Sequence, residues 1–220
     1  MLIIYAELNS FEYCKNEPIM YIDPMGTASI SSTNSKTSVS VCINTPSWNS
    51  TVVFAKSGNA YTAGHVFLKL YPGKDTYLKQ KYGACSFGFA PKSSNTLVVT
   101  AAQVACAYLY VSGKIKSEAN SKFHTSVTFN ISRSQFIAIY NYCHPRKTPS
   151  YNIVKFNCAT FALAALERAK VNHRFRKGFW NFGAFGFLMS VAYAFNGLSR
   201  FYFYGYTPAQ MAYDVMRGKY

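Results

Sequence analysis

The stretch Asn157-Cys-Ala-Thr-Phe-Ala-Leu-Ala-Ala-Leu-Glu-Arg-Ala-Lys-Val171 decides the reading of this chain. It predicts a helix over 157–171, with Phe161, Leu163, Ala165 and Leu166 in its apolar sector. Cys158 then lies in the first turn, where unpaired N–H groups and the positive end of the helix dipole lower a thiol's pKa. A thiolate so placed is a nucleophile, an imidazole beside it would serve as base and then acid, and its own backbone N–H is a natural oxyanion donor. Of the four histidines, His65 opens the predicted strand GHVFLKLY (64–71) directly after a glycine, a rigid position suited to such a partner. His124 also opens a strand, whereas His144 and His173 stand beside basic clusters in expected loops. The competing reading of Cys158 is a buried structural cysteine, one of six in the chain.

Working outward, VSVCI (39–43), TVVFA (51–55), CSFGFAP (85–91) and HTSVTFNIS (124–132) read as strands, the last with Val127, Phe129 and Ile131 on one face. TLVVTAAQVACAYLYVSG (96–113) has mixed strand and helix character. SRSQFIAIYNYCH (132–144) predicts a helix with a Ser N-cap, stopped by Pro145, and TPAQMAYDVMRG (207–218) a terminal helix with Pro208 in its first turn. The fold class is α+β.

With 220 residues, half of them apolar and 17% aromatic, the chain is too rich in core-forming residues for a disordered tail. Its charge changes abruptly along the sequence. Residues 1–27 hold Lys15 against Glu7, Glu12, Glu17 and Asp23, a net −3; residues 28–220 hold the other 22 bases against Asp75, Glu118, Glu167 and Asp214, a net +18. The Ser/Thr-rich TASISSTNSKTS (27–38) between them reads as a linker. Residues 1–27, 28–38 and 39–220 are therefore taken as an end piece, a linker and the main domain. A net +18 favours an anionic partner such as acidic lipid or an anionic polymer. Nucleic acid is not expected, because the bases are dispersed and no helix-turn-helix, zinc-finger or RNA-binding motif appears. The six cysteines form no C-x-x-C pair, which argues against a zinc ribbon, and most are expected to be reduced. The deaminase signature is missing. No cofactor or metal is expected.

FWNFGAFGFLMSVAYAFNGL (179–198) runs 20 residues without a charge, after the basic HRFRK (173–177) and before the aromatic FYFYGY (201–206). Segment 179–206 reads either as a buried helix or hairpin or as a membrane-contacting element flanked by bases that suit acidic lipid. MLIIYAEL carries neither the basic start nor the long apolar run of a secretory signal.

Two resemblances bear on function. LNSFEYCKNEPIMYIDPMGT (8–27) resembles the end of the core repeat of Rhs/YD-repeat polymorphic toxins, at the junction with a variable toxin domain. That implies that residues 28–220 are a delivered toxin. It also implies transport by an Rhs core and a secretion apparatus such as type VI, a target at another cell's membrane or in its periplasm, and a cognate immunity protein. G-H-x-F-x-x-L (64–70), followed by N-C-A-T-F (157–161), resembles the circularly permuted branch of the NlpC-type, papain-like superfamily, which includes lecithin:retinol acyltransferase-like enzymes. That implies a permuted papain-like fold with Cys158 as nucleophile and His65 as general base and acid. The third polar residue in such sites usually lies on the strand after the histidine; Ser86 and His124 are the candidates, and the scarcity of acids points away from a carboxylate. The expected substrate is a membrane phospholipid ester, cleaved through an acyl-thioester. The alternatives are a peptidoglycan or peptide amide, and a non-catalytic or nucleic-acid-directed basic toxin.

Overall fold

The computed structural model describes residues 36–45, 55–57, 60–62, 64–92, 110–180 and 203–220. The resemblance over 8–27 and nearly all of the linker, 51–54 and 181–202 lie outside these residues, as does most of the mixed stretch 96–113.

Six strands form one antiparallel sheet: β1 (Ser38–Asn44), β4 (His65–Tyr71), β5 (Cys85–Pro91), β6 (Val111–Lys116), β7 (Thr125–Asn130) and β8 (Ser150–Tyr151), in the order β7-β1-β4-β5-β6-β8. Two small ribbons stand apart, β2 (Ala55–Ser57) with β3 (Ala60–Thr62) and β9 (Gly178–Trp180) with β10 (Phe203–Gly205). The helices are α1 (Thr76–Lys81), α2 (Arg133–Cys143), α3 (Cys158–Arg168) and α4 (Pro208–Met216). The architecture is α+β, as the sequence predicts.

Strand alternation sorts the two faces of the sheet. Val39, Val41 and Ile43 of β1 stand opposite Leu70, Leu68 and Val66 of β4, and all six are fully buried in the main core. That face carries the helices: α3 packs on β4 and β5, α2 packs on α3, and α4 packs on β1 and β7. The intervening residues Cys42 and Phe67 face the other way and meet Phe123 in a second, smaller cluster. Val127, Phe129 and Ile131 all join the main core, as their alternation requires.

Local chemistry sets the helix starts. Ser132 and Gln135 form a reciprocal capping box at α2. Thr207 Oγ1 accepts from the Gln210 N–H at 3.0 Å, and Pro208 takes the first position of α4. The short α1 has no predecessor in the sequence reading. Six residues with one buried side chain, Leu78, give no periodic signal, and the helix depends on the Asp75 cap. Strand β6 also extends beyond the mixed stretch, with Val111, Gly113 and Ile115 alternating against exposed Ser112, Lys114 and Lys116.

Asn157 is the N-cap of α3 and is completely buried. Its Oδ1 accepts from the Thr160 N–H at 3.0 Å, and its Nδ2 donates to the carbonyls of Ile153 (2.8 Å) and Tyr206 (3.0 Å). One side chain therefore starts the helix, closes the preceding loop and ties it to the base of the β9–β10 ribbon. Asn157→Ala is expected to lower the unfolding free energy by ~2 kcal/mol, the loss of a cap plus buried carbonyls left unpaired. Urea denaturation checks this, with Asn157→Asp recovering only the cap.

Candidate active site

Cys158 is the first residue of α3, and its side chain is 6% exposed. The β4–β5 ladder runs from Leu70↔Cys85 to Phe67↔Gly88 and stops there. Beyond that point β5 continues against β6 instead, and the start of α3 enters the gap. The N–H of Val66, released from strand pairing, points at the Cys158 sulfur together with the N–H of Ala159. Burial pushes the thiol up, but the His65 hydrogen bond, the imidazolium charge and these two N–H groups outweigh it. The net shift is downward.

The other described cysteines behave in the opposite way. Cys42, Cys85 and Cys143 are free thiols, and burial raises all three, Cys42 and Cys85 to about 12. Position at a helix start, next to an imidazole, separates Cys158 from its neighbours.

His65 sits across the gap. Its Nε2 lies 2.8 Å from Glu118 Oε1. An ionised carboxylate only accepts, so Nε2 carries the hydrogen and Nδ1 is the nitrogen left for Cys158. Burial pulls the imidazole down, yet the bonds to Cys158 and Glu118 more than offset it, and the group is pushed up to about 9. The two shifts, the thiol down and the imidazole up, both favour a thiolate–imidazolium pair braced by a carboxylate.

Glu118 is 2% exposed and is gripped from several sides. Its N–H donates to Ser86 Oγ at 3.0 Å, Ser121 Oγ donates to Oε2, and Lys116 Nζ lies 3.0 Å from Oε1. Burial raises this carboxyl, but His65, Ser121 and Lys116 hold it down at about 2. Gly88 makes the crossing possible, because a Cβ there would come within 2.7 Å of Glu118 Cγ.

This geometry corrects the expectation for the third polar residue. A carboxylate, Glu118, orients the imidazole despite the scarcity of acids. Ser86 belongs to the site as the acceptor that fixes the Glu118 backbone. His124 does not join it: β1 stands between β7 and β4, and His124 Nδ1 accepts instead from the Thr45 N–H at 3.1 Å. In a domain with four acids, Asp75 caps α1 and bonds Arg133, Asp214 bonds Arg176, and Glu118 bonds His65. Each of these three carboxylates has a specific task.

Among the described residues, no group of three or more His, Cys, Asp or Glu could hold a metal ion. No protein-family model, curated protein or solved structure matches the chain.

Iodoacetamide is expected to label Cys158 at neutral pH while Cys42, Cys85 and Cys143 stay unmodified, as read by peptide mass spectrometry. The labelling rate at Cys158 should show an acid limb below the ordinary thiol range of about 9 and a second inflection near pH 9, where His65 loses its proton. Glu118→Gln removes the charge that stabilises the imidazolium and should move the upper inflection down by ~1 pH unit. The stability advantage of wild type over that variant should be full above pH 4.5 and fade as pH falls toward about 2, where the native carboxyl is protonated. Gly88→Ala should displace the Glu118 carboxylate and move the upper inflection of Cys158 labelling in the same direction as Glu118→Gln, with thermal unfolding monitored as the control.

Proposed function

We propose that the chain is a cysteine hydrolase of permuted papain-like architecture and that it acts as a delivered antibacterial toxin on membrane phospholipids. The observation that carries the catalytic part is the array Cys158–His65–Glu118, with the sulfur at a helix start and an imidazole held by a buried carboxylate. The chain order, histidine strand before cysteine helix, supports the permuted assignment.

The reaction follows from the charges. The Cys158 thiolate attacks the ester carbonyl carbon, and the negative charge that develops on the carbonyl oxygen is met by the Cys158 N–H, which has no partner within the helix. The imidazolium of His65 gives its proton to the leaving alkoxide, which departs as an alcohol, and an acyl-thioester remains. Neutral His65 then takes a proton from water, hydroxide adds to the thioester, and the fatty acid leaves as the thiolate is restored. Glu118 stays ionised throughout and keeps the ring in one orientation.

Three features favour a lipid substrate over an amide. The domain's net +18 draws it to acidic bilayers. The charge-free 179–198 follows a basic run. The ribbon that brackets 181–202 is bonded at its base to Asn157, next to the nucleophile, through the Tyr206 carbonyl. Among the described residues no helix is long and apolar enough to cross a membrane. The toxin assignment, with its secretion apparatus and immunity protein, rests on the resemblance over residues 8–27.

Wild type and Cys158→Ala are to be incubated with phosphatidylethanolamine/phosphatidylglycerol vesicles and, separately, with purified peptidoglycan, and the products read by mass spectrometry. Lysophospholipid and free fatty acid from wild type alone are expected. Muropeptide cleavage alone would move the substrate to an amide with the same residues. Activity surviving in Cys158→Ala would overturn the mechanism.

A further inference from the structure

The last stretch of the chain touches the supports of both Cys158 and His65. The Tyr206 carbonyl accepts from the Asn157 side-chain amide at 3.0 Å, and Asn157 starts the helix that carries Cys158. Two residues on, Pro208 opens α4 and packs against Gly64, the residue before His65. The fit there is close. A Cβ at position 64 would come within 2.6 Å of the Asn44 carbonyl oxygen, 2.9 Å of Pro208 Cβ and 3.2 Å of Thr45 Cα. Gly64 also has a φ of +83°, a conformation that L side chains disfavour. The chain therefore enters β4 through a slot between the end of β1 and the first turn of α4.

The connection between these two contacts is short and stiff. Two residues span at most about 7 Å. Thr207, between them, is fully buried, and its Oγ1 accepts from the Gln210 N–H at 3.0 Å. Pro208 is buried as well, and its ring fixes its own φ. Displacing one contact therefore carries the other with it. The sheet holds His65 on one side only. Its backbone pairs with Asn44 of β1, but the β4–β5 ladder ends at Phe67.

We propose that Pro208 is a positioning residue for the Cys158–His65 pair: it closes the slot over Gly64 and sets the imidazole against a cysteine helix that the neighbouring Tyr206 holds. The inference rests on the thiolate–imidazolium reading of the pair and is independent of the substrate. A misplaced ring loses part of its bonds to Cys158 and Glu118 together, so the signature is a changed pH profile as well as changed stability.

The test uses the full chain and follows Cys158 alkylation across pH by peptide mass spectrometry, with urea unfolding in parallel. Pro208→Gly removes the side chain that meets Gly64 and should move the upper inflection down by about half a pH unit or more. Pro208→Ala keeps the Cβ and should retain the wild-type profile. Val215→Ala, a core truncation about two turns further along α4, should lower the urea midpoint and leave the inflection in place. Gly64→Ala should act in the same direction as Pro208→Gly, and the Pro208 variants keep the test valid if it does not fold. An unmoved inflection in Pro208→Gly, or in folded Gly64→Ala, would overturn the proposal. An equal shift in Val215→Ala would also overturn it, by reducing the effect to stability, and an equal shift in Pro208→Ala would overturn the Cβ contact as its cause. A wild-type profile with no upper inflection would overturn the thiolate–imidazolium pair itself, and the positioning role with it.

Discussion

The end of the β4–β5 ladder at Phe67↔Gly88 is the constraint on which the rest of the site depends. Had pairing continued, the Val66 N–H would have bonded a carbonyl of β5. Because it stops, that N–H faces the cysteine sulfur, α3 can start within the sheet's opening, and His65 is left at the rim of the gap. The residue at the last rung must also be small. Gly88 lets Glu118 cross over β5 to meet the imidazole at 2.8 Å. One break in a strand pair thus supplies an anion-stabilising N–H, a seat for the Cys158 thiol and a path for the carboxylate.

The electrostatics of the domain follow from its imbalance. In a net +18 background, an ionised carboxylate is favoured wherever it is buried next to a cation, and the few acids are used accordingly. Asp214 is fully buried, accepts from the Arg176 guanidinium and backbone N–H and from Gln210, and fastens the 171–177 segment to α4. Glu118 does the same for His65. The difference lies in the partner: arginine cannot give up its proton, so Asp214 makes a clasp, whereas histidine can, so Glu118 makes part of a proton-transfer array.

Position also separates the cysteines. All four described thiols are free; Cys42 and Cys143 are buried and Cys85 half-buried, and desolvation raises all three. Cys158 is as buried as the others yet moves the opposite way, because two backbone N–H groups and an imidazole are aimed at it. The Asn157 side chain that starts α3 also reaches the Tyr206 carbonyl at the base of the β9–β10 ribbon. The start of α3 and the base of the β9–β10 ribbon therefore share one buried amide.

What the sequence determined by itself was local. The apolar period of 157–171, the Asn157 cap, the Ser132/Gln135 box, the Thr207–Pro208 start and the alternation of β1, β4, β5 and β7 all arise from neighbours within a few residues, and all are present in the structure. The pairing of Cys158 with His65 was legible because each stands at the first position of a recognisable element. Glu118 was not: 53 residues separate it from His65, and its approach depends on strand order and on an absent side chain at position 88. His124 failed as an orienting residue for the same reason in reverse, since heading a strand says nothing about which strand lies beside it. The ladder break that frees the Val66 N–H likewise exists only once the sheet is assembled. Capping and periodicity act over one helical turn or strand pair, whereas a proton-transfer array needs groups from distant segments within hydrogen-bond reach, and only the folded sheet brings them there.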